Sequence, residues 1–357
     1  MKNKWWIVVL IVILAGIILC FGWVLNKPYS SDEKVSTSVA KDTGQTVQKA
    51  ELIQAVSTYD RPLVPEGFKA VDTEKAKWNP NETEAESDWN SGLVIEDEKG
   101  NQFVWVPINM KTVTYKDLHS PLGGEAKYEI DAREKEQIDK YGGFYMARYE
   151  AGVDEGMQSK LTEINEQTNS VEGAPVSKVD VRPWNYISFD HAADNSKKML
   201  TGNKVHSDLM PESFWNMTFQ WFNDTGYTVY LNSQPKLEDG NYNLGQYGNY
   251  SNVLPEFTGL YSEDYGKNYQ YGENLEKTTM NLILSSGASE RSNMNNIYDL
   301  CGNLSEYGYG HPRTEHPEAV DLNVFGGNYD NMAINDIDQG VSDKMPNDKI
   351  GFRVVLY

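Results

Sequence analysis

The sequence contains few of the residues that form disulfides or hold soft metal ions. Of its 357 residues only two are cysteines, Cys20 inside a hydrophobic segment and Cys301 far from it. A disulfide framework and a cysteine zinc site are therefore both excluded. The five histidines show no spacing of the HExxH type, and we interpret the closest two, His311 and His316, as exposed loop residues.

Positive charge is scarce as well. Lys and Arg together number 32 against 52 Asp and Glu, which gives a formal net charge of -20. Such a chain repels phosphate backbones and anionic lipid headgroups, so nucleic acid is not expected as a partner. An acidic surface instead suits solubility or the binding of hard cations such as calcium. The length allows one large domain or two medium ones.

One long segment without charge lies near the N-terminus. Residues 5–25 read WWIVVLIVILAGIILCFGWVL, and as a helix they would span about 31 Å, which matches the hydrocarbon core of a bilayer. Trp5, Trp6 and Trp23 fall near its ends, where interfacial aromatic residues are found. The segment predicts a single transmembrane helix that anchors the protein in the cell membrane.

A cleaved signal peptide is the alternative, because Lys2 and Lys4 form a basic region before the apolar run. The run is long for a signal sequence, and no small-residue cleavage site follows it closely. The numbers of lysines on the two sides of the segment are nearly equal, so they do not decide its orientation. Residues 1–4 form only a short tail, and the bulk of the chain follows the segment. We therefore expect the tail in the cytoplasm and the C-terminal domain outside the membrane.

The chain after the apolar segment divides at about Pro62. Residues 26–61 are rich in Ser, Thr, Lys, Asp and Gln and have few large apolar side chains, which predicts a flexible linker. From residue 62 to 357, apolar and aromatic residues recur between Gly, Asn and Asp clusters, which indicates a folded domain. Three β-rich runs predict strands, at 92–95, 102–108 and 143–150.

Two segments predict helices, 188–200 and 211–223, the second with aromatic residues at helical spacing. Residues 227–274 differ, because they are dense in Tyr, Asn, Gly and Ser without a period of 2 or 3.6. We interpret them as ordered irregular structure. The segment either contacts a ligand through its tyrosines or consists of loops held by tyrosine hydroxyl groups.

Three motifs near the C-terminus occur in a characteristic order. They are NIYDLCGNLSEY at 296–307, FGGN at 325–328 and GFRVVL at 351–356. In this order and spacing they resemble the signature of the formylglycine-generating, or sulfatase-modifying factor, family, whose usual forms are N-x-Y-D-M-x-G-N-V-W-E-W, R-G-G-S and G-F-R. Upstream, residues 143–150 (GFYMARYE) resemble the early strand of that family. The resemblance covers residues 62–357.

The resemblance implies one α+β domain with a C-type-lectin-like fold and much irregular structure. The motif glycines fit positions of positive φ or close backbone approach, namely Gly302, Gly326 and Gly327. Residues 354–356 are expected to form a buried closing strand. Arg353 and Glu150 are charged residues on apolar strands, so we expect partnered buried charges with a structural role rather than a catalytic one.

The chemistry of the family is not expected to carry over to this sequence. Family members that oxidise cysteine bind copper through two cysteines shortly after the Gly-Gly pair, and Asn331 and Asp336 stand at those places here. Copper(I) needs soft thiolate ligands, which amide and carboxylate oxygens do not replace. Ser305 and Phe325 also stand where the family has a customary Trp and Arg. The histidine cluster that holds iron in ergothioneine-type relatives is missing too.

The resemblance implies calcium as a structural ion, because relatives bind it within the D-x-x-G-N-x-x-E stretch. Carried over by position, Asp299 and Glu306 would supply side-chain oxygens, and Gly302 and Leu304 would supply carbonyl oxygens. Calcium takes six to eight oxygens, so water or other groups would complete the shell. The alternative is that Asp299 and Glu306 only cap a turn through backbone amides.

The sequence therefore favours a cell-surface module that binds or displays a ligand, either a glycan or a protein, over an enzyme. Lectin-like relatives of the family include the variable proteins of diversity-generating retroelements, which vary just before the G-F-R motif. That resemblance implies a binding surface within 323–347, and we expect it at Asn328, Tyr329, Asn331, Asn335 and Asp336. Two alternatives stay open: an oxidoreductase of the formylglycine-generating type with an altered metal site, and a purely structural envelope protein.

Overall fold

The computed structural model describes residues 57–78, 88–109, 130–153, 173–202, 204–227, 260–264, 267–270, 283–288, 290–312, 320–329 and 348–357. All of them belong to one compact unit, Gln54–Tyr357. The predicted cytoplasmic tail, the membrane helix at 5–25 and most of the linker lie outside the described residues. Among the helices that are described, none combines the length and the hydropathy needed to cross a bilayer.

A six-stranded antiparallel sheet forms the centre of the fold. Its strands are β1 (Phe68–Val71), β2 (Val94–Asp97), β3 (Gln102–Pro107), β4 (Gly143–Ala147), β5 (Ser207–Leu209) and β12 (Val354–Leu356). They lie in the order β1-β2-β3-β4-β12-β5. The strands predicted at 92–95, 102–108 and 143–150 are confirmed, although the last one ends at Ala147. The closing strand is confirmed too, and it is inserted between β4 and β5.

Two three-stranded sheets accompany the large one. They contain β6 (Leu260–Asp264), β7 (Lys267–Gln270), β8 (Ile283–Leu284), β9 (Ser305–Pro312), β10 (Val320–Phe325) and β11 (Ile350–Phe352). Their orders are β7-β6-β8 and β10-β9-β11, with β11 parallel to β9. The prediction of irregular structure for 227–274 is wrong at β6 and β7. These strands form by pairing with each other and with β8, and a search for local periodicity does not detect such pairing.

The described residues contain three α-helices, α1 (Ala132–Tyr141), α2 (Phe189–Ser196) and α3 (Glu212–Asp224). α2 and α3 confirm the helices predicted at 188–200 and 211–223, although α2 is shorter than predicted. α1 has no counterpart among the predictions, because only Glu134 and Ile138 of its ten residues are buried. A helix with so little buried surface shows no clear apolar period.

Hydrophobic side chains pack on both faces of the large sheet. Alternate residues of a strand point to opposite faces, and on β3 Val104 and Val106 belong to one buried cluster whereas Phe103 and Trp105 belong to another. α3 joins the first cluster through its aromatic side chains, and α2 joins the second through Phe189. Because both faces are covered, the central strands read as continuous apolar runs rather than alternating ones.

The segment at 57–61, which the composition assigns to the linker, contacts the domain. The Trp105 indole Nε1 donates to the Tyr59 carbonyl oxygen at 2.9 Å, and the Ser57 hydroxyl donates to the Tyr141 carbonyl oxygen at 3.0 Å. The folded part therefore begins before Pro62. Backbone carbonyls and one small hydroxyl make these contacts, so the composition of the segment does not reveal them.

Candidate binding cleft and the motif behind it

The motif at 296–307 folds with an unusual backbone. Left-handed φ values occur at Asn295, Asn296, Asp299 and Asn303, four residues of the types that tolerate this conformation best after glycine. The predicted positive φ values are confirmed at three glycines, Gly302, Gly326 and Gly327. At Gly326 a Cβ would lie 2.5 Å from the Leu300 carbonyl oxygen, so the Gly-Gly motif packs directly on the first motif. These turns direct some side chains of the motif inward and others outward.

The inward side chains of the motif are held by protein hydrogen bonds. Asp299 accepts from the Ser292 hydroxyl at 2.7 Å and from the Gly287 backbone N–H at 2.6 Å. The Asn303 side-chain amide donates to Glu150 at 2.6 Å, and the second Glu150 oxygen accepts from the Leu304 backbone N–H at 3.0 Å. These bonds brace the loop from the inside.

Arg353 is the cation of this interior. Its Nε and Nη2 both donate to Glu306, with Nη2 at 2.6 Å, and the pair is completely buried. Its Nη1 donates to the Ala147 carbonyl at 3.0 Å, and Nη2 also donates to the Tyr298 carbonyl at 2.9 Å. The expectation of partnered buried charges is confirmed. The partner of Arg353 is Glu306, whereas Glu150 is held by an amide and a backbone N–H.

The inward charged groups form what we term the buried carboxyl cluster. It consists of Glu150, Asp299, Glu306 and Arg353, each at most 3% exposed. Burial raises the pKa of Glu306 to about 7, although the charge of Arg353 acts in the opposite direction. Burial, together with the charges of Asp299 and Glu306, raises the pKa of Glu150 well above its ordinary value. Burial also raises the pKa of Asp299. Three acids share one cation, so the cluster retains a proton at pH values where exposed carboxyls have lost theirs.

Of the four residues proposed for calcium, the two that would supply carboxylates are bonded to protein donors. Both Glu306 oxygens accept from Arg353, and both Asp299 oxygens accept from protein donors. The Gly302 N–H donates to the Gly326 carbonyl oxygen, and this bond joins the backbone of the first motif to that of the Gly-Gly motif. Within the described residues, no group of three or more His, Cys, Asp or Glu side chains is arranged to hold a metal. The guanidinium of Arg353 thus neutralises the carboxylate that calcium would have to bind.

The residues expected to bind a ligand fall into two groups. Asn331, Asn335 and Asp336 lie outside the described residues. Asn328 and Tyr329 are described, and both contact the protein itself: the Asn328 amide donates to the Ser305 hydroxyl at 3.1 Å, and the Tyr329 hydroxyl donates to Asp348 at 2.9 Å. These bonds attach the Gly-Gly motif to the start of β9 and to the segment before β11.

The outward side of the motif forms one wall of a surface cleft of about 680 Å³. This wall carries Asn296 and Tyr298 of the motif and Asn293 before it, all three largely buried, and the segment at 71–77 forms the facing wall. Arg148, the residue after β4, also lines the cleft, as does Glu290. We term this the Arg148 cleft.

Hydrogen bonds hold the walls of the Arg148 cleft in place. Within one wall, the Asn293 amide donates to Glu290 at 2.8 Å and to the Tyr298 hydroxyl at 2.9 Å. Between the two walls, the Asn296 amide donates to the Thr73 hydroxyl at 2.9 Å, and Lys75 Nζ donates to the Asn293 carbonyl at 2.6 Å. The cleft is therefore polar and largely pre-formed, as binding sites for small ligands commonly are.

Two other described clefts are smaller and do not involve the motif. One, of about 400 Å³, lies at the start of α1, where Arg133 pairs with Asp208 at 2.9 Å. The other, of about 420 Å³, is mainly apolar and is lined by Leu63, Val64 and Trp105 among others. The Arg148 cleft alone among these three combines motif residues with polar groups on both walls.

The Arg148 cleft could not be predicted from the sequence, because its residues lie far apart along the chain. Lys75 and Asn293 are 218 positions apart, and Arg148 and Asn296 are 148 positions apart. The only local signal was the asparagine-rich start of the first motif, since consecutive asparagines favour left-handed turns. Comparison with protein-family models finds no match, and comparison with curated proteins finds none either.

Proposed function

We propose that this chain is a non-catalytic ligand-binding module of the sulfatase-modifying-factor type, displayed outside the cell membrane by its N-terminal apolar segment. One observation carries the proposal: the motif that resembles the family packs its charged side chains into the interior and also forms part of the wall of a polar cleft. Its charged groups and Asn303 face the interior, whereas Asn296 and Tyr298 line the Arg148 cleft with a small part of their surface. The mixed α+β architecture and the order of the motifs support the C-type-lectin-like form of the fold.

The interior half of the motif supports a structural role for the charged residues. A general acid or base must lie within hydrogen-bond reach of the substrate. Asp299, Glu306 and Arg353 are instead buried and bonded to protein groups on all their charged atoms. Cys301 is also fully buried, so its thiol has no open path to a substrate.

The cleft half of the motif supports binding. Asn293, Asn296 and Tyr298 are held by hydrogen bonds before any ligand arrives, so little side-chain entropy is lost on association. The exposed residues of the facing wall, Glu74 and Lys77 among them, supply polar groups at the entrance. Rigid walls with polar groups on both sides suit a small polar ligand or a short segment of a larger one.

A binding screen with a cleft variant tests the proposal. The full-length chain, reconstituted in nanodiscs, is applied to glycan and protein arrays beside K77E, which reverses a charge at the cleft, and K99E, which makes the same change on the exposed β2–β3 turn. We expect hits that K77E weakens and K99E leaves unchanged. Hits that both variants retain fully would refute the cleft as the binding site. Stoichiometric copper or iron in the purified chain would instead favour the altered oxidoreductase.

The membrane anchor needs its own test. Protease treatment of intact cells should digest the domain, and alkaline carbonate should leave the chain in the membrane pellet, because an apolar segment of this length partitions into the bilayer. Release of a shortened chain into the medium would instead indicate a cleaved signal peptide.

A further inference from the structure

Arg148 is fixed in place at the inner part of the Arg148 cleft. Its Nε donates to the Asn296 carbonyl at 3.0 Å, and Nη1 donates to the Gln102 side chain at 2.8 Å. The guanidinium carbon lies 5.4 Å from the centre of the Tyr149 ring and 5.3 Å from that of Tyr298, two rings that stack on each other. Four contacts from different elements therefore orient this cation.

One nitrogen of the Arg148 guanidinium, Nη2, has no hydrogen-bond acceptor within the described residues, and the side chain lines the cleft. A fixed guanidinium with one free NH2 group can donate a charge-assisted hydrogen bond to a carboxylate. The two oxygens of Glu290 accept from Tyr298 and Asn293 instead.

The charges around the cleft entrance limit which anions can enter. The exposed residues there include three carboxylates and two lysines: Asp72, Glu74, Glu290, Lys75 and Lys77. Burial alone would raise the pKa of Glu290, but hydrogen bonds from Tyr298 and Asn293 and the charges of Lys75 and Arg148 hold it below its ordinary value. The entrance therefore stays anionic at neutral pH, on a chain whose net charge is -20. Sulfated chains and phosphates of high charge density are disfavoured.

A sugar acid satisfies both conditions. It carries a single carboxylate that can accept from Nη2 of Arg148, and its hydroxyl groups are donors for the carboxylates at the entrance, such as Glu74. Building on the proposed binding function, we propose that the Arg148 cleft binds sugar acids of the uronic-acid type, with the carboxylate on Arg148 and the hydroxyl groups toward residues 72–77.

A matched pair of sugars tests this assignment. The full-length chain in nanodiscs is titrated with methyl galacturonide, which carries one carboxylate, and with methyl galactoside, in which that group is an alcohol. We expect the acid to bind at least about tenfold more tightly, since a charge-assisted hydrogen bond is roughly twice as strong as a neutral one. The preference should shrink as sodium chloride is raised.

Variants identify the groups that act. R148K keeps the charge but loses the planar geometry that the neighbouring contacts orient, so the ratio of the two affinities should fall. E74Q should weaken both sugars several-fold, and E98Q, on the exposed β2–β3 turn, should weaken neither. Thermal melts verify folding, and if R148K does not fold, the salt dependence and the affinity ratio of the wild-type chain decide.

The outcomes separate this inference from the proposed function. Equal binding of the two sugars, sensitive to E74Q, would overturn the sugar-acid assignment and leave a binding cleft in place. Binding of neither sugar would also overturn the assignment. Array hits that K77E weakens would then still support the binding function. Array hits insensitive to every cleft variant would refute the binding function itself.

Discussion

The buried carboxyl cluster predicts that this protein loses stability as the pH rises from about 5 to about 7. An unfolded glutamate releases its proton near its ordinary pKa of 4.5, whereas Glu306 in the folded chain retains its proton up to a pKa of about 7. Between these values the folded state binds more protons than the unfolded state. Stability from this group is therefore complete below about pH 4.5 and falls as the pH increases.

The size of the effect follows from the two pKa values. The interval from 4.5 to about 7 corresponds to about 3 kcal/mol for Glu306 alone. Glu150, whose pKa is raised well above the ordinary value, adds to the loss in the same direction. Glu66, Glu96 and Glu290 have lowered pKa values and act oppositely, but their effect lies below about pH 4.5. A series of unfolding measurements that starts at pH 5 therefore excludes the effect of these three glutamates.

Urea unfolding from pH 5 to pH 7.5 measures this slope. We expect the free energy of unfolding of the wild-type chain to fall by a few kcal/mol over that range. E306Q removes one titrating group, so its curve should be flatter whatever its absolute stability. E98Q changes an exposed glutamate and should keep the wild-type slope. Identical slopes for E306Q and the wild type would refute the assignment of the proton to Glu306.

Three further predictions concern the fold and the candidate calcium ion. R353M removes the donor of the buried Ala147 and Tyr298 carbonyls and of the Glu306 carboxyl, and it should lower the free energy of unfolding by about 3–5 kcal/mol at pH 7 in urea titrations; a loss below about 1 kcal/mol would contradict these contacts. G92A and G67A both place alanine at a positive φ, but only the Cβ at Gly92 meets the Asn295 carbonyl oxygen, at 1.9 Å. G92A should therefore lower the melting temperature by more than G67A, and equal shifts would count against that close approach. Because the carboxyl groups of the candidate calcium site already have protein donors, the melting temperatures with calcium and with chelator should be equal. A shift of several degrees would instead support a bound calcium ion.

The sequence predicted the parts of the fold that depend on local pattern. The central strands were found because they are short apolar runs, and the helix with Phe214 and Phe219 because its aromatic residues recur at helical spacing. α1 was missed because it buries only two side chains. Arg353 was correctly expected to be buried, but its partner depends on the parallel pairing of Gly351 with Glu306, which joins strands far apart in sequence.

The candidate site was less predictable than the fold. The motif marked the right loop, yet spacing alone could not separate the residues that face the core from those that line the cleft. That division is made by the left-handed turns at Asn296 and Asp299. Arg148 was part of the predicted strand at 143–150, and its role at the cleft follows only from where β4 ends and the chain leaves the sheet.

The insertion of β12 between β4 and β5 affects how the protein is made. Both neighbours leave the ribosome long before residues 354–356, so the large sheet stays split while most of the chain is being synthesised. The four strands β1–β4 and the single strand β5 can join only once β12 has emerged, and such distant pairing is slow. Until then β4 and β5 expose unpaired strand edges, which makes the incomplete sheet prone to aggregation.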